Sequence, residues 1–286
     1  MSLSAGAVQR APGSSSGTAS LQLPARPTLA ATYNVNSIRA RLERLRSWLE
    51  RARPDIVCLQ ELKVSDADFP REDLEALGYH VAVHGQKGWN GVAVLSRAPI
   101  EDVVAGMSDG EEDPEARFIE LRTSGIRVVS LYVPNGQAVG TEKWAWKLRW
   151  MARLERWLNR KARPDEPLLL GGDFNVAPDD RDVARPEQWR DTVLTHEEVR
   201  EAFRRLIAWG LVDTIRLHHH DAGPFSWWDY RMLGFAKNNG LRIDHLLATA
   251  PLAATCRAAG VARDERKGKL PSDHAPVTAE FDWPGS

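Results

Sequence analysis

An α/β sandwich is the fold class that the sequence predicts. Apolar runs of strand length recur along the chain and are separated by longer amphipathic stretches. The two kinds of segment alternate without the strict strand–helix–strand beat of a doubly wound parallel sheet. Polar residues also sit repeatedly where the apolar runs end, which is how a rigid scaffold carries a site at its loop edge.

Residues 1–27 are rich in Ser, Gly, Ala and Pro, and the first acidic residue of the chain is Glu43. They read as a disordered tail. A transit peptide is also acid-poor, but the few arginines and weak amphipathicity speak against one. Residues 28–286 read as one domain. Residues 29–35 form the first expected strand. Ile38–Ala52 reads as a helix, with Ser37 as N-cap and Leu42, Leu45, Trp48 and Leu49 on one face. Residues 55–60 follow Pro54 as a short buried strand. Strands are expected at 79–83, Val92–Ser96, 118–121 and 126–133. The longest helix spans 141–162 and stops before Pro164. Residues 167–171 form an apolar strand that ends at Gly171-Gly172. A helix at 197–209 stops at Gly210, and late strands are expected at 241–248 and 275–281.

The chain has 286 residues, 43% apolar and 27% charged, enough for a sizeable core. No apolar run is long enough to span a bilayer, and no charged segment precedes an apolar one as in a secretion signal. Two cysteines, Cys58 and Cys256, make no disulfide framework and suit a reducing cytoplasm. Cys58 lies in an apolar run and reads as a buried structural thiol. A net charge of −1 and a pI near 6.7 exclude nucleic-acid binding by bulk charge. A nucleic-acid partner would need a local basic surface or a metal site. Most of the eleven tryptophans read as core, with some available for base stacking.

Asn34 and Asn36 close the first strand, and Gln60 and Glu61 the second. Asp173 and Asn175 follow the strand ending near Gly171. Asp244 lies in a late strand, and Asp273-His274 precedes the last. Carboxylates and amide oxygens are hard ligands suited to Mg²⁺ or Mn²⁺. A His beside one Asp, with another Asp elsewhere, suggests an imidazole oriented by a carboxylate. Taken alone, each motif has a plain reading: Asp173 as a turn residue, Glu61 as a surface charge. Their joint occurrence in this order shifts the balance. His218-His219-His220 resembles metal bait but reads as a solvated polar loop.

The segments Asn34-Val35-Asn36-Ser37-Ile38-Arg39, Leu59-Gln60-Glu61-Leu62-Lys63 and Tyr132-Val133-Pro134-Asn135 resemble the exonuclease III family of AP endonucleases. So do Gly172-Asp173-Phe174-Asn175-Val176, Trp209-Gly210-Leu211-Val212-Asp213-Thr214 and Phe225-Ser226-Trp227-Trp228-Asp229-Tyr230-Arg231. Leu241-Arg242-Ile243-Asp244 and Ser272-Asp273-His274-Ala275-Pro276-Val277 complete the set. The Gly-Asp-x-Asn and Ser-Asp-His signatures belong to a wider phosphoesterase superfamily. The Trp-Trp-Asp-Tyr-Arg and Leu-Arg-Ile-Asp segments point to the DNA-repair branch. Ser37 stands where the family commonly has Gly, and His245 where it often has Leu or Tyr. Residues 136–139 vary between subfamilies.

The resemblance implies a four-layer α/β sandwich of two packed mixed sheets flanked by helices. It implies a Mg²⁺-dependent (or Mn²⁺-dependent) AP endonuclease cutting 5′ to abasic sites, with 3′-5′ exonuclease or 3′-end processing. Double-stranded DNA with abasic sites or blocked 3′ ends would be the substrate of a cytoplasmic monomer. The implied metal ligands are Asn34, Asn36, Glu61, Asp173, Asn175, Asp273 and His274, with Glu61 foremost. The implied catalytic residues are Tyr132, Asp173, Asn175, Asp244 and His274. Asp173 would orient or deprotonate the attacking water. His274, held by Asp244, would donate to the phosphate. Arg39, Lys63, Lys87, Trp89, Asn135, Trp227, Arg231 and Leu241 would contact DNA. Trp227 and Leu241 would line a pocket for a base-free sugar, with Trp228 packed behind. Trp89 either inserts into a groove or is an ordinary loop aromatic. A superfamily phosphatase or phosphodiesterase acting on another substrate is the alternative, and a non-catalytic DNA binder a third.

Overall fold

The computed structural model of the chain describes residues 1–2, 27–112 and 114–283. The expected tail at 1–27 therefore lies almost wholly outside the described residues. Twelve strands form among the described residues: β1 (Thr28–Asn34), β2 (Ile56–Gln60), β3 (His80–His84), β4 (Val92–Ser96), β5 (Glu101–Ala105) and β6 (Phe118–Thr123). They continue with β7 (Ile126–Tyr132), β8 (Leu168–Asp173), β9 (Leu211–Asp213), β10 (Asp244–Thr249), β11 (Cys256–Val261) and β12 (Val277–Phe281). The long helices are α1 (Ile38–Ala52), α2 (Glu142–Lys161) and α3 (Glu197–Gly210).

The strands build two six-stranded sheets, β11-β12-β1-β2-β4-β3 and β5-β6-β7-β8-β10-β9. Each is mixed. One parallel pair lies at the centre, β1 with β2 and β7 with β8, and every other pairing is antiparallel. The central strands are apolar at almost every position because both of their faces are covered. Successive side chains point to opposite faces. Thus Ala30, Ile56, Cys58, Val128, Leu169 and Leu246 fill the layer between the sheets. Their neighbours Tyr33, Val57 and Leu59 pack under α1 with Leu45, Trp48 and Leu49. Val129, Leu131, Leu168 and Leu170 pack under α2 and α3 with Trp150, Trp157 and Phe203. The result is helix, sheet, sheet, helix. No helix of the described residues is long and apolar enough to cross a membrane.

The Ser37 cap acts as expected, its hydroxyl accepting from Ala40 N at the start of α1. Thr141, expected as the first residue of the long helix, instead caps α2 by accepting from Trp144 N. The strands without a sequence signal are β5, β9 and β11. All three lie at sheet edges. Nearly all of β5 is exposed, β9 has three residues, and β11 is only half-buried.

The sheets approach closely over Gly171. A Cβ there would lie 2.8 Å from Cys58 Sγ and 3.1 Å from Leu246 Cδ2. Gly171→Ala is expected to lower the unfolding free energy by about 1–3 kcal/mol in urea titrations, through overpacking. Cys58→Ala in that background should recover part of the loss.

Candidate active site

The parallel pairs set the site. Asn34 pairs in register with Gln60, and Tyr132 with Asp173, so four strand C-termini lie on one rim. Asp244, opposite Asp173 on the antiparallel β10, joins them. The chain turns sharply just past these ends: Asn36, Glu61 and Asn175 adopt left-handed φ values of 46, 51 and 51°. Asn tolerates that region, whereas Glu is strained there by roughly 1–2 kcal/mol. Backbone bonds hold the strained turn: Ser37 N donates to Glu61 O, Ile38 N to Leu62 O, and Leu62 N to Gly91 O.

The fully buried Asn34 sits at the centre. Its Nδ2 donates to Glu61 Oε1 at 2.8 Å and to Asp173 Oδ2 at 2.9 Å. Its Oδ1 accepts from Asn36 N. Asn36 Nδ2 donates to Asp273 Oδ1 at 2.9 Å, and Trp227 Nε1 donates to Asp273 Oδ2 at 3.0 Å. Lys63 Nζ lies 2.6 Å from Asn36 Oδ1 and 2.9 Å from Glu61 Oε2. Asp173 Oδ1 accepts from Asn175 N, Asn175 Nδ2 donates to Val133 O, and Asn135 Nδ2 donates to Asn175 Oδ1 at 3.0 Å. On the other side His274 Nδ1 lies 2.9 Å from Asp244 Oδ2, and its Nε2 faces Asp173 Oδ2 at 3.8 Å.

The charges are crowded. Burial drives the Asp173 pKa upward; His274 opposes this, while the Asp244 and Glu61 charges add to it. Burial would lower the His274 pKa, but Asp244 and then Asp173 overcome it and hold the pKa well above an ordinary imidazole's. Burial disfavours the Glu61 carboxylate too, yet Lys63 and Asn34 bring its pKa below the usual range. Burial, then the Glu61 and Asp173 charges, push the Tyr132 hydroxyl well up, so it stays a donor.

Ligand atoms of Glu61, Asp173 and His274 lie within 4.8 Å of one another, the one such cluster among the described residues. Two carboxylates forced together by one amide suit a small hard cation, which would relieve the repulsion that raises Asp173. The residues present therefore fit a divalent metal. The triple histidine does not form such a cluster: His219 Nε2 meets Ala259 O, and His218 Nε2 faces Cys256 Sγ at 3.5 Å.

Beside the carboxylates lies an apolar wall. Trp227 stands edge-on to Trp189 at 5.6 Å, over buried Leu241, Val183 and Ile243. Isolated bridges join Trp227 to Leu241 and to His274, which ties this wall to the imidazole. Trp228 is fully buried. Trp89 is 74% exposed and shares a cleft of about 480 Å³ with Tyr132, Asn135 and Gln137. Lys87 is exposed. Arg39 and Arg231 are exposed but are paired with Asp68 and Asp229, and Arg39 lines a separate groove. The structure thus gathers every expected catalytic and metal residue, while the outer cations stand apart.

Sequence reasoning missed the supports. Ser226 Oγ donates to Asp244 and accepts from Ile243 N and Asp244 N. Ser272 Oγ donates to Asn34 O and accepts from His274 N. Both lie inside the quoted motifs, next to residues with more obvious chemistry. Buried Arg242 donates to Asp182 at 2.6 Å, to Asp213 at 3.0 Å and to His245 Nδ1 at 3.0 Å. His245 Nε2 then donates to Val176 O at 2.9 Å, just past Asn175.

Comparison with known proteins agrees with this geometry. The family model described as "Endonuclease/Exonuclease/phosphatase family" matches residues 31–274. The chain belongs to that family. It is 38% identical over 262 residues to exodeoxyribonuclease III of Haemophilus influenzae, covering 87% of this chain and 98% of that protein. An AP endonuclease structure from Archaeoglobus fulgidus superposes with a TM-score of 0.87 at 39% identity, covering 89% of this chain and 99% of that one. A 3′ phosphatase from Neisseria, bound to a product DNA hairpin, also gives 0.87, at 38% identity over 90% of this chain and 100% of that one. The family member described here is thus an enzyme, a nuclease hydrolase, with the four-layer fold expected of it.

His245 gives a pH test. Burial and then Arg242 lower its pKa from 6.5 to about 4. The unfolded chain takes up this proton below pH 6.5, and the folded one only near 4. Its contribution to stability is therefore full above pH 6.5 and declines as pH falls toward 4, by on the order of 3 kcal/mol. Urea titrations should show a smaller loss between pH 7 and 4.5 in His245→Leu than in the parent.

Proposed function

We propose that this family member is a divalent-metal-dependent AP endonuclease that cuts duplex DNA 5′ to abasic sites and also processes 3′ ends. The observation that carries this reading is the Trp227–Leu241 wall adjoining the Glu61–Asn34–Asp173 cluster, joined to it by the Trp227 Nε1 bond to Asp273 and by the Trp227–His274 bridge. The AP endonuclease, exodeoxyribonuclease III and 3′ phosphatase relatives support it.

Glu61 would hold the metal, with Asp273 and Asn36 beside it and Asn34 fixing the spacing. Mg²⁺ or Mn²⁺ bound there would supply neutralisation of a phosphate oxygen and of the leaving 3′-oxygen. Asp173 orients the attacking water, and its raised pKa suits it to take the proton. The second N–H of the Asn175 amide is left for that water or for a phosphate oxygen. His274, protonated through Asp244, donates to a non-bridging oxygen as charge builds. Tyr132 keeps its proton and, with Asn135, places the phosphate and assists the leaving oxygen. A base-free sugar rests against the half-buried Trp227, which the fully buried Leu241 supports from inside instead of touching the sugar, whereas a normal nucleotide must first unstack at a cost of about a few kcal/mol. Lys63 and the exposed Lys87 supply phosphate contacts, each worth about one released counterion; Arg39 and Arg231 join them only by exchanging Asp68 and Asp229 for phosphate. Trp89 is exposed enough to enter a groove. The proposal includes a monomer acting in the cytoplasm.

A duplex carrying one tetrahydrofuran abasic mimic should be nicked 5′ to the lesion with Mg²⁺ and left intact with EDTA. Absence of that nick, or faster turnover of inositol phosphates, would overturn the proposal. Asp173→Asn should lower the rate by about 10²–10⁴-fold, with DNA affinity nearly kept in gel-shift titrations.

A further inference from the structure

Lys147 occupies the apolar stripe of α2, between Trp144 and Met151, and is fully buried. Lysine is almost never buried without a carboxylate partner. Here the ammonium donates to three backbone carbonyls: Asn175 O at 2.6 Å, Val193 O at 2.5 Å and Asn135 O at 3.2 Å. Those carbonyls belong to three separate loops, and two of them carry the site amides that meet as Asn135 Nδ2 to Asn175 Oδ1. The loop after β7 also rests on the lysine stem. A Cβ on Gly136, whose φ is +94°, would lie 3.0 Å from Lys147 Cδ. An apolar residue in place of Lys147 would take this partner from all three carbonyls, that of Asn175 in a fully buried setting.

We propose that Lys147 is a positioning residue: by tying the Asn135, Asn175 and Val193 carbonyls to one cation, it sets where the Asn135 and Asn175 side chains stand before the phosphate. Burial lowers the Lys147 pKa to about 7, with Asp173 opposing it, but three acceptors converging from different loops match the three donors of the ammonium form, a geometry that neither Met nor Leu reproduces. The inference rests on the nuclease reading above, and Lys147 touches no substrate itself.

Lys147→Met should lower kcat on abasic duplex by about 10- to 100-fold, with KM within about threefold, because misplaced groups lose rate rather than ground-state binding. Asn135→Ala and the double variant complete the cycle. If Lys147 acts through the Asn135–Asn175 pair, the double variant is no more than about twofold slower than the slower single one. Full multiplication of the two effects, or parent-like turnover in Lys147→Met, overturns the inference. Side-chain amide NMR signals read the geometry without turnover. Those of Asn135 and Asn175 should shift in Lys147→Met, while that of Asn159, farther along α2, stays put. Unmoved Asn135 and Asn175 signals also overturn it. A parent enzyme that fails to nick abasic DNA sinks the nuclease reading instead and leaves the NMR result decisive. Should Lys147→Met not fold, Lys147→Gln is measured against the same outcomes.

Discussion

A single side-chain amide joins the two sheets where the chemistry sits. Asn34 Nδ2 donates to Glu61 at the end of β2 and to Asp173 at the end of β8, one carboxylate from each sheet. Both carboxylates are held close in a buried rim, where their charges repel strongly. The close approach of the sheets at Gly171 and Cys58 makes that spacing possible, since a bulkier layer would move β8 away from β1.

The protonation states follow from this crowding. Negative charge from Asp173 and Asp244 keeps the buried His274 imidazole protonated, and Ser226 holds Asp244 in place for it. Burial, with the Glu61 and Asp173 charges, keeps the Tyr132 proton on its oxygen. Burial, and then the negative Asp244 and Glu61 beside it, drive the Asp173 pKa up against the pull of His274. Glu61 and Asp273 escape that fate through the Lys63 and His274 cations and through donors on Asn34, Asn36 and Trp227. One rim thus gathers ionised oxygens, a carboxylate of raised pKa and two proton donors, the groups that the proposed reaction would use.

Much of this was legible in the sequence. Asn34, Glu61 and Asp173 each follow an apolar run, and a polar residue placed there falls on a strand end by geometry alone. α1 was legible to the residue, since Ser37 caps its start and Pro54 ends the segment. What escaped has physical reasons. Edge strands β5 and β11 bury too little to carry an alternating pattern. Lys147 and Arg242 are charged, so a sequence pattern assigns them to solvent; only tertiary contacts show the carbonyls and carboxylates that satisfy them. Which outer cations face the substrate is likewise set by loops rather than by spacing, and Arg39 and Arg231 turn out to have carboxylate partners already.

The convergence of the two carboxylates on one hard cation is tested most directly by anomalous diffraction from crystals soaked in Mn²⁺. The account predicts one dominant peak in contact with Glu61, inside the rim that Asn34 and Asp173 define. A dominant peak elsewhere on the molecule, or none at saturating Mn²⁺, would contradict it.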